Sequence, residues 1–212
     1  QQLRRVQVTW RVLPNERISW EEIAQKMAAQ RSICTIVNMK KHAKKLFDAL
    51  KLVCETESVF YITTELCPAH RRVVIEQVKK RLRDGLPCRV VATQCIEAGV
   101  DLDFDSVFRA LAPLESIIQA AGRCNRNGRH PEGGQVLVFL PDEERLYPDT
   151  WYEKAAMLVS ALHMEKPIDL MNPSDIQRYY QKLFWKLKGK KELCEAIQMQ
   201  DYAGAEKNYR II

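Results

Sequence analysis

Two kinds of hydrophobic pattern alternate along the chain. Residues 6–13 alternate apolar and polar side chains for most of their length, which is the pattern of a half-buried strand. Residues 19–27 begin with Ser19 and Glu22 in the spacing of a capping box, and their apolar side chains recur at helical spacing: Trp20, Ile23, Ala24 and Met27. The chain therefore starts with a strand that leads into an amphipathic helix.

The alternation of strands and helices continues to residue 140. Short runs rich in apolar and β-branched residues predict strands at residues 33–37, 59–62, 89–92, 107–111 and 135–140. Pro68 suits the first turn of a helix and Gly85 suits its end, and the predicted helices lie at about residues 40–50, 68–84 and 114–123. This order favours a parallel sheet covered by helices on both faces, so the predicted fold class is α/β.

The character of the chain changes after residue 140. Residues 142–149 are acidic and contain a proline, and helical patterns follow at residues 151–164 and 174–187. We therefore predict one α/β domain over residues 1–140. Residues 141–212 are predicted to form a helical linker that leads toward a further, C-terminal accessory domain.

Composition limits the class of protein. Hydrophobic residues make up 46% of the chain and charged residues 28%, which is an ordinary globular mixture. No apolar run approaches the ~18 residues of a membrane span, no signal peptide is evident, and the missing initial Met suggests an internal fragment. The seven cysteines include no Cys-x-x-Cys spacing and the four histidines are scattered, so we expect reduced thiols in the cytoplasm and no metal site.

The positive charge of the chain is unevenly distributed. The formal net charge is +6, and residues 71–89 alone hold seven basic and two acidic residues. Such a patch suits a polyanion, because binding to phosphates releases their condensed counterions. A solvated basic helix face remains the alternative interpretation.

The first segment with candidate chemistry follows the predicted strand at residues 89–92. It contains Thr93 and then Gly99-Val100-Asp101. A glycine lets the backbone approach a ligand closely, and the carboxylate can accept hydrogen bonds from a sugar hydroxyl. A polar turn with a solvated Asp101 is the alternative.

The second segment is residues 119–129. On a helix, Gln119, Arg123 and Arg126 would share one face, because they are spaced four and three residues apart. Two guanidinium forks beside an amide suit a triphosphate, and such arginines can stabilise charge on a transferring phosphoryl group. The alternative is an exposed basic helix end that the helix dipole favours.

The third segment is residues 61–72. Thr63, Thr64, Arg71 and Arg72 place hydroxyls and guanidinium groups at a helix N-terminus, which fits a phosphodiester backbone. An ordinary helix start is the alternative. We expect all three segments to follow carboxyl ends of strands, where parallel sheets carry functional loops.

These segments together resemble a known family. Residues 93–101 are similar to motif V of superfamily-two helicases, and residues 119–126 fit their motif VI pattern, Gln-x-x-Gly-Arg-x-x-Arg. With residues 66–72, Leu-Cys-Pro-Ala-His-Arg-Arg, they resemble the CRISPR-associated helicase–nuclease of type I systems. The resemblance covers about residues 30–140. Residues 191–212 look, less specifically, like the approach to that family's accessory domain.

The resemblance implies the second RecA-like motor domain of an ATP-dependent, 3′-to-5′ single-stranded-DNA translocase. Its partners would be a first RecA-like domain, a metal-dependent HD nuclease domain and an RNA-guided surveillance complex. Arg123 and Arg126 would sense the γ-phosphate, with Arg126 as the finger, and Gln119 would help place the attacking water. Gly99 and Asp101 would contact the nucleotide. The nucleic-acid-binding residues would be Asn38, Thr63, Thr64, Arg71, Arg72 and Thr93.

Several helicase motifs are absent from this sequence. It has no Gly-x-x-x-x-Gly-Lys-Ser/Thr loop, no Asp-Glu-x-His box and no His-Asp pair. ATP and Mg²⁺ would therefore be held mainly by the missing first motor domain, the nuclease metal would belong to the parent enzyme only, and the fragment alone should be inactive. Two alternatives remain: another superfamily-two member, such as an RNA helicase or a restriction translocase, and a non-catalytic interaction module.

Overall fold

The computed structural model describes residues 5–97 and 100–186. Gly99 and the predicted approach to an accessory domain at residues 191–212 lie outside the described residues. The strands are β1 (Val6–Arg11), β2 (Ser32–Ile36), β3 (Val59–Ile62), β4 (Cys88–Ala92), β5 (Ser106–Ala110) and β6 (Gly134–Phe139). The helices are α1 (Trp20–Ala28), α2 (Lys40–Val53), α3 (Pro68–Arg83), α4 (Leu114–Ala121), α5 (Thr150–Glu165) and α6 (Pro173–Lys186).

The six strands form one parallel sheet in the order β1-β6-β5-β2-β4-β3. Every residue of the central strands β2 and β5 is buried, as expected where helices cover both faces of a parallel sheet. The α/β prediction, a parallel sheet flanked by helices, is confirmed. The sheet sets the site geometry, because it brings the ends of β2, β4 and β3 side by side.

Local signals place the helix ends. Ser19 caps α1, since its Oγ accepts a hydrogen bond from the Glu22 backbone N–H at 3.1 Å. Gly85 ends the turn after α3 with a φ of +65°, a conformation that glycine adopts without steric cost.

Helix α4 ends earlier than the sequence predicts. It stops at Ala121, and Gly122 forms its C-cap. Glycine is a poor helix former, and three residues later Asn125 takes a left-handed φ of 45°, which turns the chain away from the helix axis. The expectation that Gln119, Arg123 and Arg126 share a helix face is therefore wrong, because both arginines lie in the turn that follows the helix.

The chain divides into two compact units, Gln1–Pro167 and Ile168–Ile212. Helix α5 belongs to the first unit, where the Ser160 hydroxyl donates to the Val12 carbonyl at 3.1 Å. Helix α6 belongs to the second unit. The division of the chain into a domain and a linker at residue 140 stays a prediction. Within the described ranges, no helix has both the length and the apolar character that crossing a bilayer requires.

Candidate functional site

Three of the predicted nucleic-acid-binding residues lie together at the carboxyl edge of the sheet. Thr63 and Thr93 directly follow β3 and β4, which pair in register, and the Thr93 N–H donates to the Ile62 carbonyl at 3.2 Å. Both threonine side chains are buried, whereas Thr64 is exposed. Asn38 follows the neighbouring strand β2. The sheet therefore brings together residues that are far apart in the sequence.

The Asn38 side chain makes its hydrogen bonds inside the protein. Its Nδ2 donates to the Leu111 carbonyl at 2.8 Å, and its Oδ1 accepts from Arg109 Nη1 at 2.7 Å. The side chain is 6% exposed, so its hydrogen-bonding groups are directed into the protein. A direct contact of this side chain with nucleic acid stays a prediction.

Two grooves adjoin at this edge. One, of about 770 Å³, is lined by Asn38, Met39, Lys40, Lys41, Thr64, Thr93, Gln94, Cys95 and Pro148. The other, of about 560 Å³, shares Thr64 and Cys95 with the first and also contains Arg71, Arg72 and Asp101. Lys40 and Lys41 are additional basic residues here, and they lie outside the three segments with candidate chemistry. Their position directly after a central strand was the available signal.

A second group of predicted residues surrounds Asp101. Its Oδ1 lies 3.0 Å from Nη1 of Arg126, and both side chains are exposed. Burial lowers the pKa of the Arg123 guanidinium, and the nearby positive charge of Arg126 lowers this pKa further. Gln119 is exposed on α4, and within the part of the chain that is described no side-chain hydrogen bond joins it to either arginine. The structure thus groups Asp101, Arg123 and Arg126.

Residues 122–129, which include Arg123 and Arg126 and are called the arginine turn below, lie at the amino end of two strands. The Asn125 N–H donates to the Phe104 carbonyl at 2.8 Å, just before β5, and the Gly134 N–H, at the start of β6, donates to the Arg5 carbonyl at 2.8 Å. The expectation that all three segments follow carboxyl ends of strands is wrong for this one. The reason is that α4 starts after β5 and returns the chain to the start of β6. Residues 93–105 connect the carboxyl edge of the sheet to the side of the sheet where the arginine turn lies.

Cys124 and Asn125 hold this turn in place. Cys124 is buried, and its Sγ donates to the carbonyls of Asp105 at 3.3 Å and Gln135 at 3.4 Å. Burial raises the pKa of the Cys124 thiol to about 12. The Asn125 amide donates to the Arg5 carbonyl at 3.0 Å and the His130 carbonyl at 2.9 Å. The two residues between the motif VI arginines therefore pack the turn against the sheet.

A buried ion pair lies between the carboxyl edge of the sheet and the arginine turn, and it was not among the predicted site residues. Arg109, in the middle of β5, is fully buried, and its Nε lies 3.0 Å from Oε1 of Glu97. Burial raises the pKa of Glu97 although the Arg109 charge opposes this shift. The main-chain carbonyl of Glu97 accepts a hydrogen bond from Arg123 Nη2 at 2.6 Å. The available signal was an arginine inside an otherwise apolar strand, since a buried charge requires a partner.

Comparison with known proteins shows which family part of the chain resembles. Residues 29–129 match the family model described as "CRISPR-associated nuclease/helicase Cas3, C-terminal". A CRISPR-associated nuclease/helicase Cas3 of Haloferax volcanii is 51% identical over 83 residues, which are 36% of this chain and 9% of that protein. The chain spans between 9% and 23% of the length of four curated relatives that it matches.

Solved structures share the fold. A crystal structure of T. fusca Cas3 with ATP matches 97% of this chain and 26% of its own chain, with a TM-score of 0.65 and 18% identity. A chain of a structure titled "CRISPR RNA-guided surveillance complex, pre-nicking" matches 97% of this chain and 28% of its own, with a TM-score of 0.63 and 17% identity. These likenesses confirm the RecA-like fold. Residues 29–129, just under half of the chain, are similar to the Cas3-like C-terminal domains of CRISPR-associated nuclease/helicases.

Proposed function

We propose that this chain supplies the second motor half of an ATP-dependent, 3′-to-5′ single-stranded-DNA translocase that is coupled to a nuclease in CRISPR antiviral defence. The observation that carries the proposal is the grouping of Arg123 and Arg126 around the Asp101 carboxylate. Guanidinium forks bind phosphate oxygens with two parallel hydrogen bonds. The match of residues 29–129 to the Cas3-like C-terminal family model supports the same function.

The side chains present fit a polyphosphate ligand. Arg123 Nε is buried and has no hydrogen-bond partner among the residues that the structure describes. The Arg126 side chain is 43% exposed, and its ion-pair partner among the described residues is the more exposed Asp101, so it can exchange this carboxylate for a phosphate. Asp101 is then free to accept a hydrogen bond from a ribose hydroxyl. A buried donor without a partner beside an exposed guanidinium is the arrangement that an anion would complete.

Each residue predicted to meet the nucleotide would have a separate role. Arg126 would donate to phosphoryl oxygens on which charge develops, Arg123 would donate to a neighbouring phosphate oxygen, and Gln119 would orient the attacking water. Gly99 would let the backbone approach the nucleotide. ATP and Mg²⁺, which supply the energy of movement and neutralise phosphate charge, would be held mainly by a first motor domain.

The carboxyl edge of the sheet would track the nucleic acid. Thr64 and Thr93 line the adjoining grooves, and Arg71 and Arg72 add positive charge there, whereas the predicted contact of Thr63 would require its buried hydroxyl to become accessible. Contacts to the phosphodiester backbone position a strand without reading its sequence, as a translocase requires. Asn38 would then contribute to this edge mainly by orienting the side chains of Arg109 and Tyr152, which hydrogen-bond to its Oδ1.

The partners of the proposed motor half are a first RecA-like domain and an HD nuclease domain, which alone would bind the nuclease metal. The shared fold with a chain of the RNA-guided surveillance complex structure supports recruitment by such a complex. The six cysteines in the described ranges are free thiols, which suits the reducing conditions of the cytoplasm.

The purified 212-residue chain is expected to show no ATPase activity, with or without single-stranded DNA. It carries arginines for an ATP site but neither the phosphate-binding loop nor the acidic box. Phosphate release by the chain is compared with that of a longer protein carrying both motor halves. DNA-stimulated turnover by the chain alone, beyond that of a mock preparation, would contradict the assignment of the missing parts.

The chain is expected to bind single-stranded DNA weakly, with an affinity that falls as salt rises. Each phosphate contact on a single strand contributes a log–log salt slope of about 0.7, so the Arg71→Ala/Arg72→Ala variant should lose up to about 1.4 from the slope. The matched control is Arg83→Ala, an exposed arginine about 16 Å further along α3.

Fluorescence anisotropy with labelled oligonucleotides from low to high salt measures both slopes. An unchanged slope in the double variant would remove these arginines from the nucleic-acid path. Parallel titrations with RNA distinguish a DNA translocase from an RNA helicase of the same superfamily. Equal affinity for DNA at low and high salt would favour the interaction module.

A further inference from the structure

The hydroxyl group of Tyr152, in the first turn of α5, lies inside a cluster of polar side chains. It accepts a hydrogen bond from Arg109 Nη2 at 2.9 Å and donates to Asn38 Oδ1 at 3.1 Å. Gln94 Nε2, from the loop after β4, approaches the same hydroxyl at 3.4 Å. The Tyr152 N–H donates to the capping Asp149 at 2.8 Å, which holds the start of the helix. The hydroxyl thus joins α5 to the carboxyl edge of the sheet.

Arg109 connects this hydroxyl to Glu97. While Nη2 donates to Tyr152, Nε faces the Glu97 carboxylate, and Nη1 donates to Asn38 Oδ1 and to the Ala110 carbonyl at 2.9 Å. A guanidinium group is planar and rigid, so a shift at one nitrogen moves the others. The position of the Glu97 carboxylate therefore depends on the position of Tyr152.

Glu97 carries the connection to the arginine turn. Its carboxylate faces Arg109, and its carbonyl oxygen accepts the hydrogen bond from Arg123 Nη2. A continuous series of polar contacts therefore runs from Asn38 and Tyr152 to Arg123. One end lies beside the proposed nucleic-acid groove, and the other lies in the proposed nucleotide group.

We propose that Tyr152 and Arg109 are positioning residues that couple contact at the nucleic-acid edge to the placement of Arg123. The proposal rests on the proposed motor function. Its consequence is that α5, which follows the motif-bearing part of the chain, takes part in the motor. Polar networks between sites can carry such coupling, and a coupling measurement must test each one.

The test is the Tyr152→Phe variant of a longer protein that carries both motor halves. The substitution removes only the hydroxyl and keeps the ring. The ATP turnover of the variant with saturating single-stranded DNA, divided by its turnover without DNA, is expected to fall by about 2- to 30-fold, the range for residues along coupling networks. The KM for ATP and the affinity for DNA without nucleotide should stay at their wild-type values.

Tyr147→Phe provides a matched control. The Tyr147 hydroxyl is also buried, its ring centroid lies 6.1 Å from that of Tyr152, and it lacks a hydrogen-bond partner within the described ranges. The control should keep the full ratio of stimulated to unstimulated turnover. A purely structural role of Tyr152 would instead lower the melting temperature and both turnover rates together, and that result would overturn the proposal.

The Arg126→Ala variant distinguishes a failure of the coupling role from a failure of the proposed motor function, on which the coupling role rests. If Arg126→Ala abolishes turnover but Tyr152→Phe keeps the wild-type ratio, the coupling role is wrong and the motor function stands. If Tyr147→Phe and Tyr152→Phe lower the ratio equally, the coupling role is also overturned. If Arg126→Ala keeps wild-type turnover, both the function and the inference fail.

Discussion

Arg126→Ala, placed in a longer protein with both motor halves, is expected to lower ATP turnover by about 10³–10⁵-fold, the effect of losing an arginine finger. The KM for ATP should change little, because the guanidinium acts mainly on charge that develops in the transition state. Binding of single-stranded DNA without nucleotide should persist, since Arg126 itself lines neither groove at the carboxyl edge of the sheet. Steady-state ATPase assays with saturating single-stranded DNA measure the effect.

Two further variants define the controls for Arg126. Arg126→Lys should rescue poorly, because an ammonium group cannot reproduce the two-pronged hydrogen bonding of a guanidinium. Arg129→Ala removes another exposed arginine from the same turn and should leave turnover unchanged. Wild-type turnover in both Arg126 variants would exclude this turn from the nucleotide cleft and favour an interaction module.

Glu97→Ala is expected to destabilise the 212-residue chain by about 3–5 kcal/mol, because it leaves the fully buried Arg109 without its carboxylate. The chain contains a matched control pair. Arg11 and Glu22 also approach within 3.0 Å, but their side chains are 35% and 43% exposed. Since exposed pairs contribute about 0–1 kcal/mol, Glu22→Ala should have a small effect.

Urea denaturation followed by circular dichroism gives both free energies of unfolding. A second variant, Glu97→Gln, keeps the shape of the side chain and one acceptor oxygen but removes its charge, so its loss of stability should be intermediate. Equal, small losses in Glu97→Ala and Glu22→Ala would show that the Glu97–Arg109 pair contributes no more than a surface pair. The arrangement proposed to hold Arg123 would then lose its energetic basis.

The two largest expected effects, those of changing Arg126 and Glu97, concern one continuous part of the molecule. Arg126 is exposed and held by Asp101, whereas Arg123 is anchored through Glu97 to the buried Arg109. An exposed arginine can exchange its partner for a phosphate at little cost. Arg123 is instead anchored, so it can donate to a neighbouring phosphate oxygen from a fixed position. The two motif VI arginines thus differ in burial and in their contacts although the sequence pattern treats them alike.

Much of the fold follows from local sequence patterns. The strand at Val59–Ile62 occurs at the predicted residues, and Ser19 and Gly85 mark a helix start and a helix end as expected. These features depend on side chains within a few residues of one another, so periodicity and capping rules suffice to predict them. The motif strings indicated the resemblance to Cas3-like proteins for the same reason, since each is contiguous in the sequence.

Only the tertiary structure decided where the motifs lie and what supports them. The course of α4 places the arginine turn at the amino ends of β5 and β6, which a linear reading of strand ends missed. Arg109 contacts Asn38 and Tyr152, which are distant in the sequence, and no local pattern reports such contacts. The sequence determined which residues carry charge and where strands and helices form. The packing of the sheet decided which charges become buried together, because burial depends on neighbours that only the folded chain supplies.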